Sequence, residues 1–301
     1  MARPARQVTA TITTLNALLR EGAAMLAASG AENAAREAAW LLEAGLGRTP
    51  LELCLNGRMP VAPEERARVL DLLSRRANRE PLQYILGTQE FCGLEFLVEA
   101  GVLIPRPETE LLVGEVVRCA RRLPGPIIAD IGTGSGCIAV ALAKALPTAR
   151  LFATDCSSPA LRVGLQNAER HGVQDRVRFL RGDLLEPLGR VGMEGQVSVL
   201  VSNPPYIPDG QLELLQPEVG DYEPRVALSG GPDGLAMYRR LLQDAALFVK
   251  PGGFLVMEVG QGQAQPVCQM ASKLDGYGGI RTLEDNAGIE RVVCLEFLAE
   301  R

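Results

Sequence analysis

The first quarter of the chain carries its apolar residues at helical spacing. Between Thr13 and about Arg79, leucines and alanines recur three and four positions apart, as in LNALL at 15–19 and AAWLL at 38–42. This spacing places the apolar side chains on one face of a helix. The segment PEE at 63–65 is typical of a first helical turn, so we expect a helix from there to Arg79. The pattern predicts a small bundle of helices.

Further along, short apolar runs alternate with longer amphipathic stretches. IIADIG at 127–132 is followed by CIAVALAKAL at 137–146 and RLFATD at 150–155, and the alternation continues to GGFLVMEVG at 252–260. Strands separated by helices of this length pair in parallel, and helices cover both faces of their sheet. The last two apolar runs, at 279–298, have no helix between them. We therefore expect an α/β domain with a mostly parallel sheet and an antiparallel strand at its end.

The segment joining these two regions has a pattern of its own. In EFCGLEFLVEAGVLIPRPETE at 90–110, short β-type runs surround two glycines, which predicts a hairpin. We expect three parts in the chain: a helical domain at 1–85, a β-hairpin linker at 86–108 and an α/β domain at 109–301.

Composition and charge exclude several classes of protein. A net charge of −5 and a pI near 5.2 disfavour a surface that grips nucleic acid by neutralising phosphates. Neither an apolar signal segment at the N-terminus nor a run of about 18 apolar residues is present, so we expect neither export nor membrane insertion. The seven cysteines form no CxxC pair, and His171 is the single histidine. We expect no metal site, and reduced thiols in a cytoplasmic protein.

A glycine-rich turn joins the first predicted strand of the α/β region to the helix that follows. It consists of Gly132, Thr133, Gly134, Ser135 and Gly136. Glycine lets backbone N–H groups approach a ligand closely, and the N-terminus of the next helix adds partial positive charge. A dinucleotide fingerprint needs its third glycine at the position of Cys137, so a nicotinamide or flavin site is disfavoured. A tight turn without a ligand remains the alternative.

Two acidic residues follow the next two predicted strands. Asp155 lies 23 positions after Gly132, where an acid that accepts from both ribose hydroxyls usually sits. Asp183 follows the third strand and could accept from an adenine amine while Leu184 packs against the ring. As alternatives, Asp155 could cap the following helix and Asp183 could be an ordinary turn residue. Acids at successive strand ends beside a glycine turn favour a nucleoside site, because open α/β sheets bind ligands at that edge.

The fourth predicted strand ends abruptly. In VLVSNPPYIPD at 199–209, two consecutive prolines cannot donate to a sheet, so the strand must stop at Ser202. The next four residues are Asn203, Pro204, Pro205 and Tyr206. This stiff turn offers an amide side chain, backbone carbonyls and an aromatic face at the same edge as the nucleoside site.

Taken together, the glycine turn, Asp155 and the NPPY sequence resemble the S-adenosylmethionine-dependent methyltransferases that modify a planar amino group. Four further segments narrow the resemblance: REPLQYILGTQEF at 79–91, LIPRPETELLV at 103–113, DYEPRVALSGGPDGLAMYRRL at 221–241 and DNAGIERVV at 285–293. They are similar to the release-factor glutamine methyltransferase (PrmC/HemK) family. The resemblance implies a Rossmann-like methyltransferase fold and S-adenosyl-L-methionine as cofactor. It also implies methylation of N5 of the glutamine in the Gly-Gly-Gln motif of bacterial peptide chain release factors 1 and 2.

The same resemblance implies roles for individual residues. Asn203, Pro204 and Tyr206 are the expected catalytic residues: the Asn203 side-chain oxygen and the Pro204 carbonyl each accept one amide N–H, and Tyr206 stacks on the amide. Asn203 would also contact the cofactor, beside the glycine turn, Asp155, Asp183 and Leu184. Pro205, Arg106 and Pro107 are expected to complete the substrate site, the last two as a rigid rim.

Three alternatives remain open. A flipped adenine presents a similar amino group to NPPY, so the chain could be an adenine-N6 nucleic-acid methyltransferase, although it lacks a basic domain. It could also methylate a glutamine of a ribosomal protein. A catalytically idle adaptor that binds S-adenosylmethionine is the third reading. Because the helical domain contains none of these motifs, we expect it to recognise a protein substrate.

Overall fold

The computed structural model describes residues 13–298. The chain divides into two compact units, the first ending at Leu86 and the second beginning at Gly87.

The first unit is a helical bundle. Its helices are α1 (Leu15–Ala28), α2 (Ala34–Leu46), α3 (Pro50–Leu55), α4 (Pro63–Ala77) and α5 (Leu82–Leu86). Leu18, Leu41 and Leu73 are fully buried between α1, α2 and α4, as the apolar spacing predicts. Pro63 occupies the first turn of α4 as expected, but α4 ends at Ala77 and not at Arg79. Arg79 has a φ of 67°, a left-handed conformation in which a helix cannot continue.

The second unit starts with a hairpin and continues as alternating helices and strands. In chain order these are β1 (Thr88–Phe91), β2 (Leu94–Leu97), α6 (Thr109–Ala120), β3 (Ile127–Ile131), α7 (Cys137–Ala145), β4 (Arg150–Asp155), α8 (Ser158–Arg170), β5 (Val177–Arg181), α9 (Glu186–Arg190), β6 (Val197–Ser202), α10 (Pro217–Gly220), α11 (Ala236–Phe248), β7 (Val249–Glu258), α12 (Ala264–Ala271), β8 (Tyr277–Glu284) and β9 (Glu290–Phe297). Two 3₁₀ turns, Asp209–Leu214 and Arg225–Ala227, lie between β6 and α11.

Strands β3 to β9 form one sheet in the described chain. The order is β5-β4-β3-β6-β7-β9-β8. Strands β3 to β7 pair in parallel, whereas β9 pairs antiparallel with both β7 and β8. The predicted mostly parallel α/β fold with a closing antiparallel strand is thus confirmed. In detail, the antiparallel strand β9 lies one place in from the edge, because the chain forms β8 at the edge before it returns as β9.

Apolar cores cover both faces of the sheet. All six residues of β6 are buried, with Val199 and Val201 facing one core and Leu200 facing the other. Val197 faces the same core as Leu200, because the pairing with β7 shifts register between Val197 and Val199. Successive side chains of a strand point to opposite faces, so a strand covered on both sides reads as a continuous apolar run. Full burial of each such side chain contributes about 1.5–3 kcal/mol of transfer free energy.

The parallel strands bring their carboxyl ends to one edge of the sheet. Ile131, Asp155, Arg181, Ser202 and Glu258 are the final residues of β3, β4, β5, β6 and β7. The strand order reverses between β3 and β6, and ligands of open α/β sheets bind at such a reversal. Among the residues that the structure describes, no helix combines the length and apolar character that crossing a membrane requires.

Candidate active site

Two cavities meet at this edge. The larger, of about 400 Å³, is lined by residues 132–135 of the glycine turn and by Asp155, Asp183 and Leu184. The smaller, of about 220 Å³, is lined by Pro204, Tyr206 and residues of the segment after β6. Both cavities include Leu103, Arg106, Asn203 and Ala227 in their walls. Asn203 therefore stands at the junction between a nucleoside-sized space and a slot beside NPPY.

The glycine turn leaves room for a ligand. Gly132 and Gly134 have φ values of 74° and 55°, and a Cβ added to either would meet no atom within 4 Å. These two glycines thus take a conformation that other residues avoid while leaving open space above the backbone. The N–H groups of Gly132 and Thr133 both donate to the Thr154 carbonyl at 2.9 Å, which holds the turn against β4.

Gly136 has a different role from its neighbours. It precedes α7 with a φ of 77°, and a Cβ there would lie 2.9 Å from the Gly164 Cα. This glycine allows α7 and α8 to approach closely, and it is not part of the lining of either cavity. The position of Gly136 therefore does not support the contact with the cofactor that we expected from the sequence.

Asp155 is held rigidly at the end of β4. Its Oδ2 accepts from the Gly134 N–H at 2.9 Å and its Oδ1 accepts from the Ser157 N–H at 2.8 Å. Ser157, and not Asp155, caps α8 by accepting from the Ala160 N–H. A carboxylate oxygen has more than one acceptor position, so Asp155 can still accept from a diol in the larger cavity.

Asp183 has a partner that sequence reasoning missed. Its carboxylate pairs with Arg240 of α11, with Oδ2 2.5 Å from Nη2, and both residues line the larger cavity. An adenine amine would have to share Asp183 with this guanidinium. Leu184 lies beside them with a φ of 45°, and its carbonyl accepts from the Thr154 hydroxyl at 2.9 Å.

Asp130 lies beneath the glycine turn. It is fully buried on β3, and its Oδ2 accepts from the Thr133 hydroxyl at 2.5 Å. Burial raises the pKa of Asp130 to about 7, although the bond from Thr133 acts in the opposite direction. The carboxyl therefore supports the turn from below.

The NPPY turn is anchored from behind by Gln263. The Gln263 Nε2 donates to the Tyr206 carbonyl at 2.8 Å, and its Oε1 accepts from the Gly260 N–H at 3.0 Å. The packing is close, because a Cβ on Gly234 would lie 2.4 Å from the same Tyr206 carbonyl. Burial raises the pKa of Tyr206 to about 12, so its phenol stays protonated near neutral pH. Tyr206 can offer a flat face and a hydroxyl, but not a base.

The Asn203 side chain is hydrogen-bonded on its nitrogen side. Its Nδ2 donates to the Thr109 hydroxyl at 3.1 Å, and that hydroxyl donates to Glu258 Oε2 at 2.6 Å. Thr109 and Glu258 are both 2% exposed, whereas Asn203 is half-buried at the cavity junction.

Arg106 forms the rim expected from its segment. Its Nη2 donates to Glu223 Oε1 at 2.6 Å, and Glu223 is buried. Burial raises the pKa of Glu223, while the charge of Arg106 opposes this effect. Arg106 lines both cavities, but Pro107 lines neither, so only the first of the two expected rim residues reaches the site.

A separate cluster of possible metal ligands lies outside the site. The carboxylate and thiol atoms of Glu115, Cys119 and Cys294 are buried within 4.8 Å of one another. The Glu115 carboxylate is already paired with Arg118 at 2.7 Å and with Arg281. Two adjacent guanidinium groups repel a cation, so the cluster is better suited to joining α6 to β8 and β9.

Most of the predicted site residues therefore lie together, and several unpredicted ones join them. Gly132, Thr133, Gly134, Ser135, Asp155, Asp183, Leu184, Asn203, Pro204, Pro205, Tyr206 and Arg106 line one or both cavities. Sequence reasoning missed Thr109, Glu223, Arg240, Glu258 and Gln263. Glu258 did carry a signal, since it is an acid at a parallel strand end like Asp155. Thr109, Glu223 and Arg240 carried none beyond membership of the family-like segments, and Gln263 lies outside those segments.

Comparison with known proteins agrees with this architecture. The PrmC N-terminal domain family matches residues 17–87, and the methyltransferase small domain family matches residues 109–216. Among solved structures, the hMettl16 catalytic domain in complex with the MAT2A 3'UTR hairpin 6 superposes with a TM-score of 0.53. It is 16% identical, over 78% of this chain and 82% of that chain, which shows a shared fold.

The matched domains and the relatives described next define the class: the chain is an S-adenosylmethionine-dependent methyltransferase, and its fold is Rossmann-like. A release factor glutamine methyltransferase from Geobacter sulfurreducens is 50% identical over 89% of this chain and 91% of that relative. Another, from Moorella thermoacetica, is 43% identical over 96% of this chain and 99% of that relative. Within its class, the chain thus belongs to the release factor glutamine methyltransferase family.

Proposed function

We propose that this protein methylates N5 of the glutamine in the Gly-Gly-Gln motif of peptide chain release factors 1 and 2, and that it does so in the cytoplasm. The observation that carries the proposal is the junction at Asn203. A space suited to a nucleoside and a slot suited to a planar amide share this side chain. Family membership supports the choice of a glutamine as the acceptor.

The larger cavity fits the methyl donor. Gly132 and Gly134 leave open space where side chains would otherwise project, and the fixed carboxylate of Asp155 suits a ribose diol. Asp183 and Leu184 would flank the adenine ring, with Arg240 sharing the carboxylate. When bound, S-adenosylmethionine supplies a methyl group on a positively charged sulfur, which makes the methyl carbon electrophilic.

The smaller cavity fits a glutamine side chain. An amide nitrogen is a poor nucleophile because its lone pair is delocalised into the carbonyl, so the protein must hold it in one orientation. Asn203 Oδ1 and the Pro204 carbonyl would each accept one N–H, and Tyr206 would stack on the amide plane. Such positioning can lower the barrier by about 7 kcal/mol or more. The nitrogen would gain the methyl group as the bond between the methyl carbon and the sulfur breaks, which leaves S-adenosylhomocysteine, and it would lose one proton to solvent. Neither Tyr206 nor a histidine is needed as a base.

Residues 1–85 are proposed to recognise the protein substrate. None of the residues that line the two cavities comes from this helical unit, so its retention favours a role in docking. Contact with a release factor away from the Gly-Gly-Gln loop would raise the effective concentration of that loop at Asn203. The acidic net charge of −5 disfavours the adenine-N6 alternative, which requires binding to a phosphate backbone.

The test is direct. The purified protein and S-adenosylmethionine are incubated with one candidate substrate at a time: release factor 1, release factor 2, ribosomal proteins or an adenine-containing oligonucleotide. Mass spectrometry should find one added methyl group on the Gly-Gly-Gln peptide of the factors. A release factor with glutamine replaced by asparagine serves as the control and should stay unmodified. Methylation confined to ribosomal protein or oligonucleotide would refute the proposal.

A further inference from the structure

Asn203 is tied to a buried chain of hydrogen bonds that crosses three elements. Glu258 ends β7, Thr109 begins α6, and Asn203 directly follows β6. The Thr109 hydroxyl lies 2.6 Å from Glu258 Oε2 and 3.1 Å from Asn203 Nδ2. Glu258 and Thr109 are almost completely buried, so water does not compete for these groups.

The direction of the hydrogen bonds follows from the acid. An ionised carboxylate only accepts, so Thr109 must donate its single proton to Glu258. Only lone pairs of the hydroxyl then remain for Asn203, which must present its NH₂ group to Thr109. The side-chain oxygen of Asn203 is thereby turned away from Thr109.

This orientation matters because the two ends of an asparagine amide have the same shape but opposite roles. A substrate amide N–H needs an acceptor, and a reversed Asn203 would offer it a donor instead. We propose that Thr109 and Glu258 are positioning residues that hold Asn203 with its oxygen towards the substrate amide. The proposal rests on the proposed function. It means that two residues outside NPPY determine whether Asn203 presents an acceptor or a donor to the substrate amide.

The surroundings of Glu258 make this arrangement sensitive to pH. Burial raises the pKa of Glu258 to about 7, while the bonds from Thr109 and Asn203 and the charge of Arg291 on β9 act in the opposite direction. Glu108 adds to the rise, and the phenols of Tyr206 and Tyr238 lie close enough to interact with the carboxylate. Once protonated, Glu258 can donate to Thr109, and the Thr109 hydroxyl is then free to donate to the oxygen of a reversed Asn203. The constraint on Asn203 is thereby weakened. Activity should therefore fall as the pH drops through about 7.

The first test compares two substitutions of Thr109. Thr109→Val keeps the volume but removes the hydroxyl, and it should lower kcat by about tenfold, as expected for one lost hydrogen bond. Thr109→Ser keeps the hydroxyl and should stay within about threefold of the parent. Affinity for S-adenosylmethionine, measured by calorimetry, should change by less than about threefold in both. Equal kcat values for the two variants, or a loss confined to donor affinity, would overturn the proposal.

The second test uses the pH profile of kcat. The parent should show an acidic limb near the pKa of Glu258, and Glu258→Gln should be less active but lack that limb. Asp130 is the alternative source of such a limb, because burial also raises its pKa to about 7. A limb that is absent from the parent, or that persists unchanged in Glu258→Gln, would contradict the role of Glu258.

A third measurement does not depend on turnover. In protein labelled with ¹⁵N at asparagine, the side-chain NH₂ signal of Asn203 is identified by its loss in Asn203→Asp. Thr109→Val should shift this signal and speed its hydrogen exchange, whereas Thr109→Ser should not. If the shift and the exchange rate of the Asn203 signal are the same in both variants as in the parent, the positioning role is wrong even if the enzyme is active. If it responds but the parent methylates no release factor, the proposed function fails while the hydrogen-bonded arrangement stands.

Discussion

Replacing Asp155 with alanine separates two effects that the structure assigns to one carboxylate. Asp155 accepts from the Gly134 and Ser157 N–H groups at 2.9 and 2.8 Å. With donor bound, the same carboxylate is proposed to accept from the ribose. Asp155→Ala should therefore cost both folding stability and donor affinity.

The magnitudes can be worked out separately. Loss of the two backbone bonds should reduce stability by about 1–3 kcal/mol, which lowers the Tm of a unit of this size by about 2–12 °C. Loss of the charged acceptor should weaken donor binding by about 1.5–3 kcal/mol, or roughly tenfold to 150-fold. The affinity loss must thus be measured at a temperature where the variant is still folded.

Calorimetry with S-adenosylmethionine gives the affinity, and thermal unfolding without ligand gives the stability. Asp285→Ala is the matched control, since this carboxylate also accepts from two backbone N–H groups, those of Ala287 and Ile289, but lines neither cavity; it should lower the Tm while leaving affinity nearly unchanged. Asp155→Asn keeps one acceptor oxygen and should fall between the parent and Asp155→Ala. An unchanged donor affinity in folded Asp155→Ala would show that the ribose does not lie at this carboxylate.

Three further results are expected. Asn203→Ala should abolish turnover while leaving donor affinity within about threefold by calorimetry, because it removes the amide acceptor; activity close to the parent would rule out amide positioning. Gly136→Ala should lower stability by about 1–3 kcal/mol in a denaturation experiment, because its Cβ would press on Gly164 at a left-handed φ, and a neutral effect would contradict this packing. Deletion of residues 1–80 should leave donor binding nearly unchanged and sharply reduce methylation of intact release factor, with a smaller loss on a Gly-Gly-Gln peptide; equal rates on intact factor for truncated and full-length protein would refute the docking role.

Local features of the chain determined most of the fold and the outline of the site. The spacing of apolar residues alone distinguishes the helical unit from the parallel sheet. A helix buried on one face has apolar residues three and four positions apart, whereas a strand buried on both faces is a continuous apolar run. The prolines after Ser202 stop β6 because they cannot donate to a sheet, whatever surrounds them. Strand-end positions such as Asp155 could be placed at one edge because parallel strands share their direction.

Only the tertiary structure decided which side chains become partners. Thr109 and Glu258 are 149 positions apart, and Asp183 and Arg240 are 57 positions apart, so no local pattern links them. The same holds for the different roles of Gly132 and Gly136 in one turn: both have left-handed φ values, but only the second faces another helix. Backbone conformation is set by residues near in sequence, whereas the direction of a buried hydrogen bond depends on groups that meet only when the sheet has assembled.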